Sequence, residues 1–595
     1  MEDPEVFEWA HQEIKRLIDE GQVQGLRVDH PDGLHHPVDY FRNLRKLLPN
    51  GPIYVEKILD EEETLPEDWP VDGTVGYDFM NRVNRLWMDE TRADALTSIY
   101  ADFTGHPTNY LKLVREQKEF VLSRHFLGDL LRLTRLAAKV AASNYETRDL
   151  SLHDLERALV LCIVALPIYR TYLTAETRDP KQENILRDAL TLARSFAHPM
   201  MESRVVAFDF LERALLGDMR SNVGGELLAR FQQLAPAVMA KGAEDTTFYR
   251  YDRLLSCNEV GSQPSVLGIS AEQFHQYLSH LGRAWPNGLL TSSTHDTKRS
   301  EDVRARISLI SEMPERWNAM IDVWAEHNTR FWKGREPDRH AEYLLYQTLV
   351  GAHPLSPERA FAYIQKAVRE AKIYTSWHEP KADYEEKLQD FIEGILADEW
   401  FQKSLDEFCS PLVHPGRINS LAQTLIKLTA PGVPDFYQGS ELWDLSLVDP
   451  DNRRPVDFSL RQQLLETARN LSVHELGQHW ESGLVKLWMI QRVLAVRDSL
   501  PDLNRSDYRP LIARGQKLRH VLSYARGEHL VVVVPRFITT IQSDFGDTQL
   551  ELPEGRFMCA FSGKIHEKSV PVAHLFEEFP VALLVRASSQ SQDAA

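Results

Sequence analysis

Three carboxylates close short apolar runs in this chain. Asp29 ends Gly25-Leu26-Arg27-Val28-Asp29, and Glu56 ends Ile53-Tyr54-Val55-Glu56. Asp296 ends Leu289-Leu290-Thr291-Ser292-Ser293-Thr294-His295-Asp296. Two facing carboxyl groups are what cleavage of a glycosidic bond with retention needs, one as nucleophile and one as proton donor. Arg27 lies two residues before Asp29, on the same side of an extended chain. A guanidinium there holds the aspartate ionised, the state a nucleophile at an anomeric carbon requires. Glu56 follows Tyr54 and Val55. Apolar neighbours and a nearby Asp29 charge raise its proton affinity, as a general acid requires. His295-Asp296 is a weaker signal, because the dipeptide is common. An aspartate there can brace sugar hydroxyls as the ring flattens. Taken singly, each carboxylate also fits a surface group at a strand end.

These side chains need elements to position them. The runs around Asp29 and Glu56 predict strands over 23–28 and 53–58. Between them Val38, Phe41, Leu44, Leu47 and Leu48 recur at helical spacing and predict a helix over 37–48. Parallel neighbours of a (β/α)8 barrel would deliver both carboxylates to the face where such barrels carry chemistry. Upstream, Asp3-Pro4 is a helix start, and Val6, Phe7, Ala10, Ile14, Leu17 and Ile18 form one apolar face that ends at Gly21.

The predicted fold class is α/β: a partial (β/α)8 TIM-type barrel lacking its first strands, with large helical insertions and a C-terminal β domain. Residues 1–80 form the barrel region of strands four and five, with Asp29 and Glu56. Residues 81–240 are a helical insertion, shown by the rhythm of Leu130, Leu133, Leu136 and Val140. Residues 241–310 return to the barrel with Asp296. A helical subdomain covers 311–428, and the last barrel strand lies in 429–480. A mainly β domain covers 481–595, with a helix over 485–500 and strands over 529–537, 556–562 and 580–586. The Ser/Gln/Ala tail reads as disordered.

A chain of 595 residues exceeds one ordinary core. Its net charge of −19 disfavours phosphate backbones and anionic membranes, but does not deter a neutral substrate. Cys162, Cys257, Cys409 and Cys559 are far apart and lack metal-ligand spacing. They read as buried reduced thiols of a cytoplasmic protein. The apolar run Ala158 to Tyr169 is too short to span a bilayer. The start, Met1-Glu2-Asp3-Pro4, is acidic and helical rather than a signal peptide. Trp69, Tyr77, Phe79, Tyr249, Tyr251, Phe436, Tyr437 and Trp443 cluster near the carboxylates in sequence. They are candidates to stack on sugar faces, although scattered aromatics are chiefly core.

Together these segments resemble the α-amylase superfamily (glycoside hydrolase family 13) and, within it, the maltooligosyltrehalose synthases. The more specific matches are Asp72-Gly73-Thr74-Val75-Gly76-Tyr77-Asp78-Phe79, Glu244 to Tyr251, Thr297-Lys298-Arg299-Ser300-Glu301-Asp302 and Pro434 to Gly439. The resemblance implies Asp29 as nucleophile, Glu56 as acid/base and Asp296 as transition-state stabiliser. It implies Arg27, His30, Tyr77, Asp78, His295, Lys298 and Arg299 as substrate-binding supports. The implied reaction turns the reducing-end α-1,4 bond of a maltooligosaccharide into an α,α-1,1 bond. No cofactor, metal, nucleic acid or membrane is implied. The partner is a glucan substrate, with a functional link to a trehalohydrolase. Two departures stand out. Amylases carry a lysine and a histidine three and four places after the nucleophile, where this chain has Asp32 and Gly33. The superfamily's barrel also begins three strands before its nucleophile, whereas only about 20 residues precede that strand here. The expectation is therefore an N-terminally truncated synthase. Two rivals are an α-1,4-glucan hydrolase of the same superfamily and an inactive fragment that only binds glucan.

Overall fold

The computed structural model describes residues 1–587, leaving aside 175, 177, 178, 198–201, 220 and 335. The chain forms two compact units. One comprises residues 1–75 and 109–251, the other 76–108 and 252–595.

In the first unit, strands β1 (Leu26–Val28), β2 (Ile53–Val55) and β3 (Gly73–Thr74) form a parallel sheet in that order. Leu26 pairs with Ile53, Arg27 with Tyr54 and Val28 with Val55. The last rung is the Glu56 N–H donating to the Val28 carbonyl at 2.8 Å. Both strands are shorter than predicted. The helix Pro37–Leu47 joins them, with proline at its first position and Phe41 and Leu44 buried. From this helix Arg45 donates to the Pro70 carbonyl at 3.1 Å, the Gly51 carbonyl at 2.6 Å and the Asp72 carboxylate at 2.7 Å. Asp72 in turn accepts the Ile53 N–H at 2.9 Å, which pins the start of β2.

The predicted N-terminal helix is two helices, Pro4–Ala10 and Gln12–Asp19. The break falls at His11. Its ring stacks on Phe7, with Nδ1 2.8 Å from the Phe7 carbonyl and Nε2 2.9 Å from the Tyr40 hydroxyl.

The rest of this unit is helical: Tyr110–Arg124, Leu127–Ala142, Leu152–Ala165, Pro180–Phe196, Glu202–Leu215 and Asn222–Met239. They enclose a core that includes Leu133, Leu159, Leu190, Leu211 and Phe231. Side-chain caps start four of them, at Asn109, Ser151, Asp179 and Ser221. Helix Leu152–Ala165 is buried along most of its length, which explains its continuous apolar sequence.

In the second unit β4 (Leu289–Leu290) pairs in parallel with β5 (Val433–Pro434). The helix Glu399–Thr429 runs for 31 residues. At the C-terminus, β6 (Tyr508–Leu511), β7 (Val521–Arg526), β8 (Leu530–Pro535), β9 (Gln549–Cys559), β10 (Ile565–Pro571) and β11 (Ala582–Arg586) form one sheet in the order β10-β9-β11-β8-β7-β6. The predicted strands at 529–537, 556–562 and 580–586 overlap β8, β9 and β11. Sequence patterning missed the two edges for a physical reason. β6 contains Pro510 and β10 is largely polar, the composition that blunts an exposed sheet edge. It also missed β7, where Ser523 and Arg526 are buried by donating to the Leu511 and Thr429 carbonyls.

The four cysteines are buried free thiols. Among the described residues no helix is long and apolar enough to cross a membrane.

Gly76 sits where the chain meets β4. Its φ is +96°, and an added Cβ would lie 2.5 Å from the Leu289 carbonyl oxygen and 2.7 Å from the Thr291 nitrogen. Backbone atoms cannot swing aside. Gly76→Ala is expected to destabilise the protein by about 3 kcal/mol or more in urea unfolding. Gly105→Ala, at φ +67° with open space around it, serves as the control and is expected to cost only about 1 kcal/mol.

Candidate active site

The pairing of Val28 with Val55 determines what happens one residue later. Asp29 and Glu56 occupy the next equivalent position on adjacent parallel strands, so their side chains leave the sheet on the same side. The two carboxyl groups are close enough to share a hydrogen bond. Arg27 spans them: one guanidinium nitrogen lies 2.7 Å from Asp29 and the other 3.5 Å from Glu56. The His30 N–H donates to Glu56 at 2.8 Å. His30 adopts a left-handed backbone, φ +40°, which turns the chain sharply after the strand.

The pair is electrostatically unequal. The Asp29 side chain is 69% exposed and that of Glu56 only 13%. Burial pushes the Glu56 carboxyl up to about 7, and the Asp29 charge and hydrogen bond act in the same direction. The His30 N–H and the Arg27 guanidinium oppose the shift without cancelling it. Burial of one carboxyl beside an exposed neighbour pushes their proton affinities apart, the condition under which two carboxyls can take different roles.

Lys57 points the other way, as strand alternation requires, and is fully buried. Its ammonium lies 2.8 Å from Glu63 and 3.7 Å from Asp32. Asp32 also accepts the Tyr172 hydroxyl. This cluster escaped the sequence reading, although a lysine between Val55 and Ile58 was a signal of buried charge.

In the second unit Asp296 caps the polar continuation of β4. Its carboxylate lies 3.2 Å from His295 Nε2 and 3.7 Å from the Arg453 guanidinium. The loop is held by Thr294, whose Oγ1 lies 3.0 Å from the Tyr77 hydroxyl and accepts the Asp296 N–H at 3.1 Å. Asn452 donates to the His295 carbonyl at 3.0 Å. Asn452 and Arg453 were not anticipated, and no pattern in their surroundings singles them out. Asp78 accepts the Tyr277 hydroxyl at 2.7 Å.

The structure places Arg299 differently from a sugar-facing residue and anchors the Lys298–Arg299 backbone from within. Both backbone N–H groups donate to the buried Glu259 carboxylate, at 2.7 and 3.3 Å. The Arg299 guanidinium is buried against the Leu255 and Asn258 carbonyls and the Tyr363 hydroxyl. Arg299 therefore anchors the loop from within. Among the aromatic candidates, Trp69 packs against Phe41 and Tyr172, Phe436 lies under the Lys427 ammonium, and Tyr437 donates to the Asn452 carbonyl. These contacts are those of core and loop supports.

An α/β protein with two carboxyl groups at the C-terminal ends of adjacent parallel strands has an arrangement that glycosidic chemistry can use. No protein-family model matches the chain. A protein named maltooligosyl trehalose synthase from Mycobacterium tuberculosis is 35% identical over 98% of this chain and 72% of its own length. The structure of maltooligosyltrehalose synthase from Arthrobacter ramosus matches with a TM-score of 0.87 and 37% identity, covering 98% of this chain and 73% of that one. A glycosyltrehalose synthase of strain DSM5389 matches with a TM-score of 0.80 and 32% identity, covering 98% and 70%. This chain belongs to the maltooligosyltrehalose synthase family.

The raised proton affinity of Glu56 has a measurable consequence for stability. Its folded value, about 7, lies above the ordinary 4.5, so the folded protein binds this proton more tightly. Glu56 therefore favours the fold at acidic pH, and that benefit is lost as pH rises through 4.5 towards 7. Glu56→Gln removes the ionisation. The stability of the variant relative to the parent is expected to increase from pH 5 to pH 8 in denaturant titrations. A difference that stays flat across that range contradicts the buried, protonated Glu56.

Proposed function

We propose that this chain is an intramolecular transglucosylase. It converts the reducing-end α-1,4 bond of a maltooligosaccharide into an α,α-1,1 bond, leaving a trehalose terminus. The observation that carries this reading is the placement of Asp29 and Glu56 at the ends of adjacent parallel strands, bridged by Arg27, with Asp29 exposed and Glu56 buried. Family membership narrows the substrate to maltooligosaccharides. The same membership supports reading the short parallel strands as parts of a (β/α)8-type barrel.

Glu56 protonates the bridging oxygen while an ionised Asp29 oxygen attacks C1. The C1–O bond breaks as the C1–Asp29 bond forms, giving a glycosyl-enzyme. The released glucose stays and presents its own anomeric hydroxyl. Glu56, now a carboxylate, takes that proton while the hydroxyl oxygen displaces Asp29 from C1. The proton is returned and no water is consumed, so the product is an isomer of the substrate. Retention of glucose suffices to exclude hydrolysis, because a well-held nucleophile reaches an effective molarity of about 10⁵ M or more.

In this reading Asp296 stabilises the transition state. Arg27 orients the carboxyl pair, and His30, Tyr77, Asp78, His295 and Lys298 hold substrate. Arg299 acts through the loop. The product suits a trehalohydrolase that cleaves the next bond. The reduced, buried thiols suit a cytoplasmic setting.

Incubation with maltopentaose and analysis of the products test the proposal. A non-reducing product of unchanged mass is expected, and shorter sugars would instead identify a hydrolase. Asp29→Ala and Glu56→Gln are each expected to lower kcat by about 10²–10⁴-fold or more. An Asp29→Ala variant that retains most of its product formation would overturn the assignment.

A further inference from the structure

Asp32 and Gly33 stand where amylases carry sugar-facing residues, so the role of this loop is open. Asp32 does not face outward. It is only 2% exposed, and both ends of the residue are gripped. Its carboxylate accepts the Tyr172 hydroxyl and lies 3.7 Å from the Lys57 ammonium. Its carbonyl accepts Arg170 at 2.8 Å, and the same guanidinium reaches the Leu34 carbonyl at 2.6 Å. Gln233 donates to the Gly33 carbonyl at 2.9 Å. Three consecutive residues after the turn are thus held by Arg170 and Tyr172, from the connection between helices Leu152–Ala165 and Pro180–Phe196, and by Gln233 of helix Asn222–Met239.

The other side of the cluster belongs to β2. Lys57 is the residue immediately after Glu56. It donates to the Ile58 carbonyl at 2.9 Å and pairs with Glu63 at 2.8 Å. Its ammonium also sits over the Tyr169 and Tyr172 rings, at 5.9 and 5.7 Å. Glu63 accepts the Asp60 N–H at 3.1 Å, closing the loop after β2. The loop after Asp29 and the loop after Glu56 are therefore fastened to one buried ion cluster behind the carboxyl pair.

We propose that Asp32 is a positioning residue whose buried bonds to Lys57 and Tyr172 lock the Asp29–His30 turn against the strand end that carries Glu56. The inference rests on the acid–nucleophile reading of Asp29 and Glu56. β1 is only three residues long and Asp29 is exposed. The strand alone does not fix where that carboxylate lies, and the anchor three residues later does. A shift of about 1 Å at a reacting group is enough to cost about 100-fold in rate. Asp32 itself touches neither the anomeric carbon nor the leaving oxygen.

The test uses the full chain with Asp32→Asn, which keeps shape and removes charge, and Tyr172→Phe, which removes one hydroxyl. Circular dichroism and thermal melts establish folding. Should either variant fail to fold, Arg170→Lys, which loosens the carbonyl grip from outside the ion cluster, takes its place. Carboxyl ¹³C NMR follows the titration of Glu56, assigned by Glu56→Gln. The Asp29 carboxyl, the Arg27 guanidinium and the His30 N–H all act on Glu56, and two of these ride on the locked turn. In each folded variant the Glu56 midpoint is expected to move by about half a unit or more. kcat is expected to fall about 10- to 100-fold, with KM changed less than about threefold. An unmoved midpoint in the folded variants overturns the proposal whatever the kinetics. If the parent chain forms no trehalose terminus, the proposed function fails, while the titration still decides the role of Asp32.

Discussion

A buried carboxyl beside an exposed one resists carrying its own charge, and the local structure around β1 and β2 serves that one constraint. Asp29 and Glu56 meet because Val28 pairs with Val55. A slip of one residue would turn Glu56 into the interior and bring Lys57 to the mouth. Strands of three residues supply few rungs to resist such a slip. The register is instead enforced from the sides, by Arg45 and Asp72 at the entry to β2 and by the ion cluster behind its exit. Arg27 then lowers the cost of the remaining charge from in front.

The second unit holds its own carboxylate by a different device. Beneath the Ser292-to-Asp296 segment lies a set of fully buried ions. Lys427 lies 3.5 Å from Glu301, and Lys486 lies 2.6 Å from Glu301 and 3.2 Å from Asp302. Glu259 lies 2.9 Å from Arg304. Burial opposes ionisation of Glu301, yet the two lysines hold its carboxyl well below the usual range. Loss of one partner from such a pair leaves an uncompensated interior charge, a cost of about 3–5 kcal/mol. The segment bearing Asp296 is therefore laid on a stiff polar bed rather than on a strand, since β4 extends for only two residues.

Much of this was legible in the sequence, and the exceptions have physical causes. The helix between β1 and β2 and the apolar core of the helical block follow from hydrophobic spacing alone. So does the relation of Asp29 to Glu56, because strand periodicity and carboxylate placement agree. Ion clusters are harder to read. Lys57 and Asp32 lie 25 positions apart and Tyr172 much further, so nothing local announces that they meet. The family resemblance of its segment implied Arg299 as a substrate support, but tertiary packing turns its guanidinium inward. The sheet edges were invisible because edge strands are selected to look unlike strands.

The buried thiols carry a further consequence. Cys162 lies within the helical core of the first unit, while Cys257, Cys409 and Cys559 belong to the second. Burial raises Cys162 and Cys257 above the ordinary thiol range and pushes Cys409 up to about 12, so almost none of these three sulfurs is present as the reactive thiolate. A maleimide or disulfide reagent meets them only when their surroundings open. Peptide mapping of the labelled cysteines over time then records which half of the molecule breathes first, a clock written into the native chain without any engineered probe.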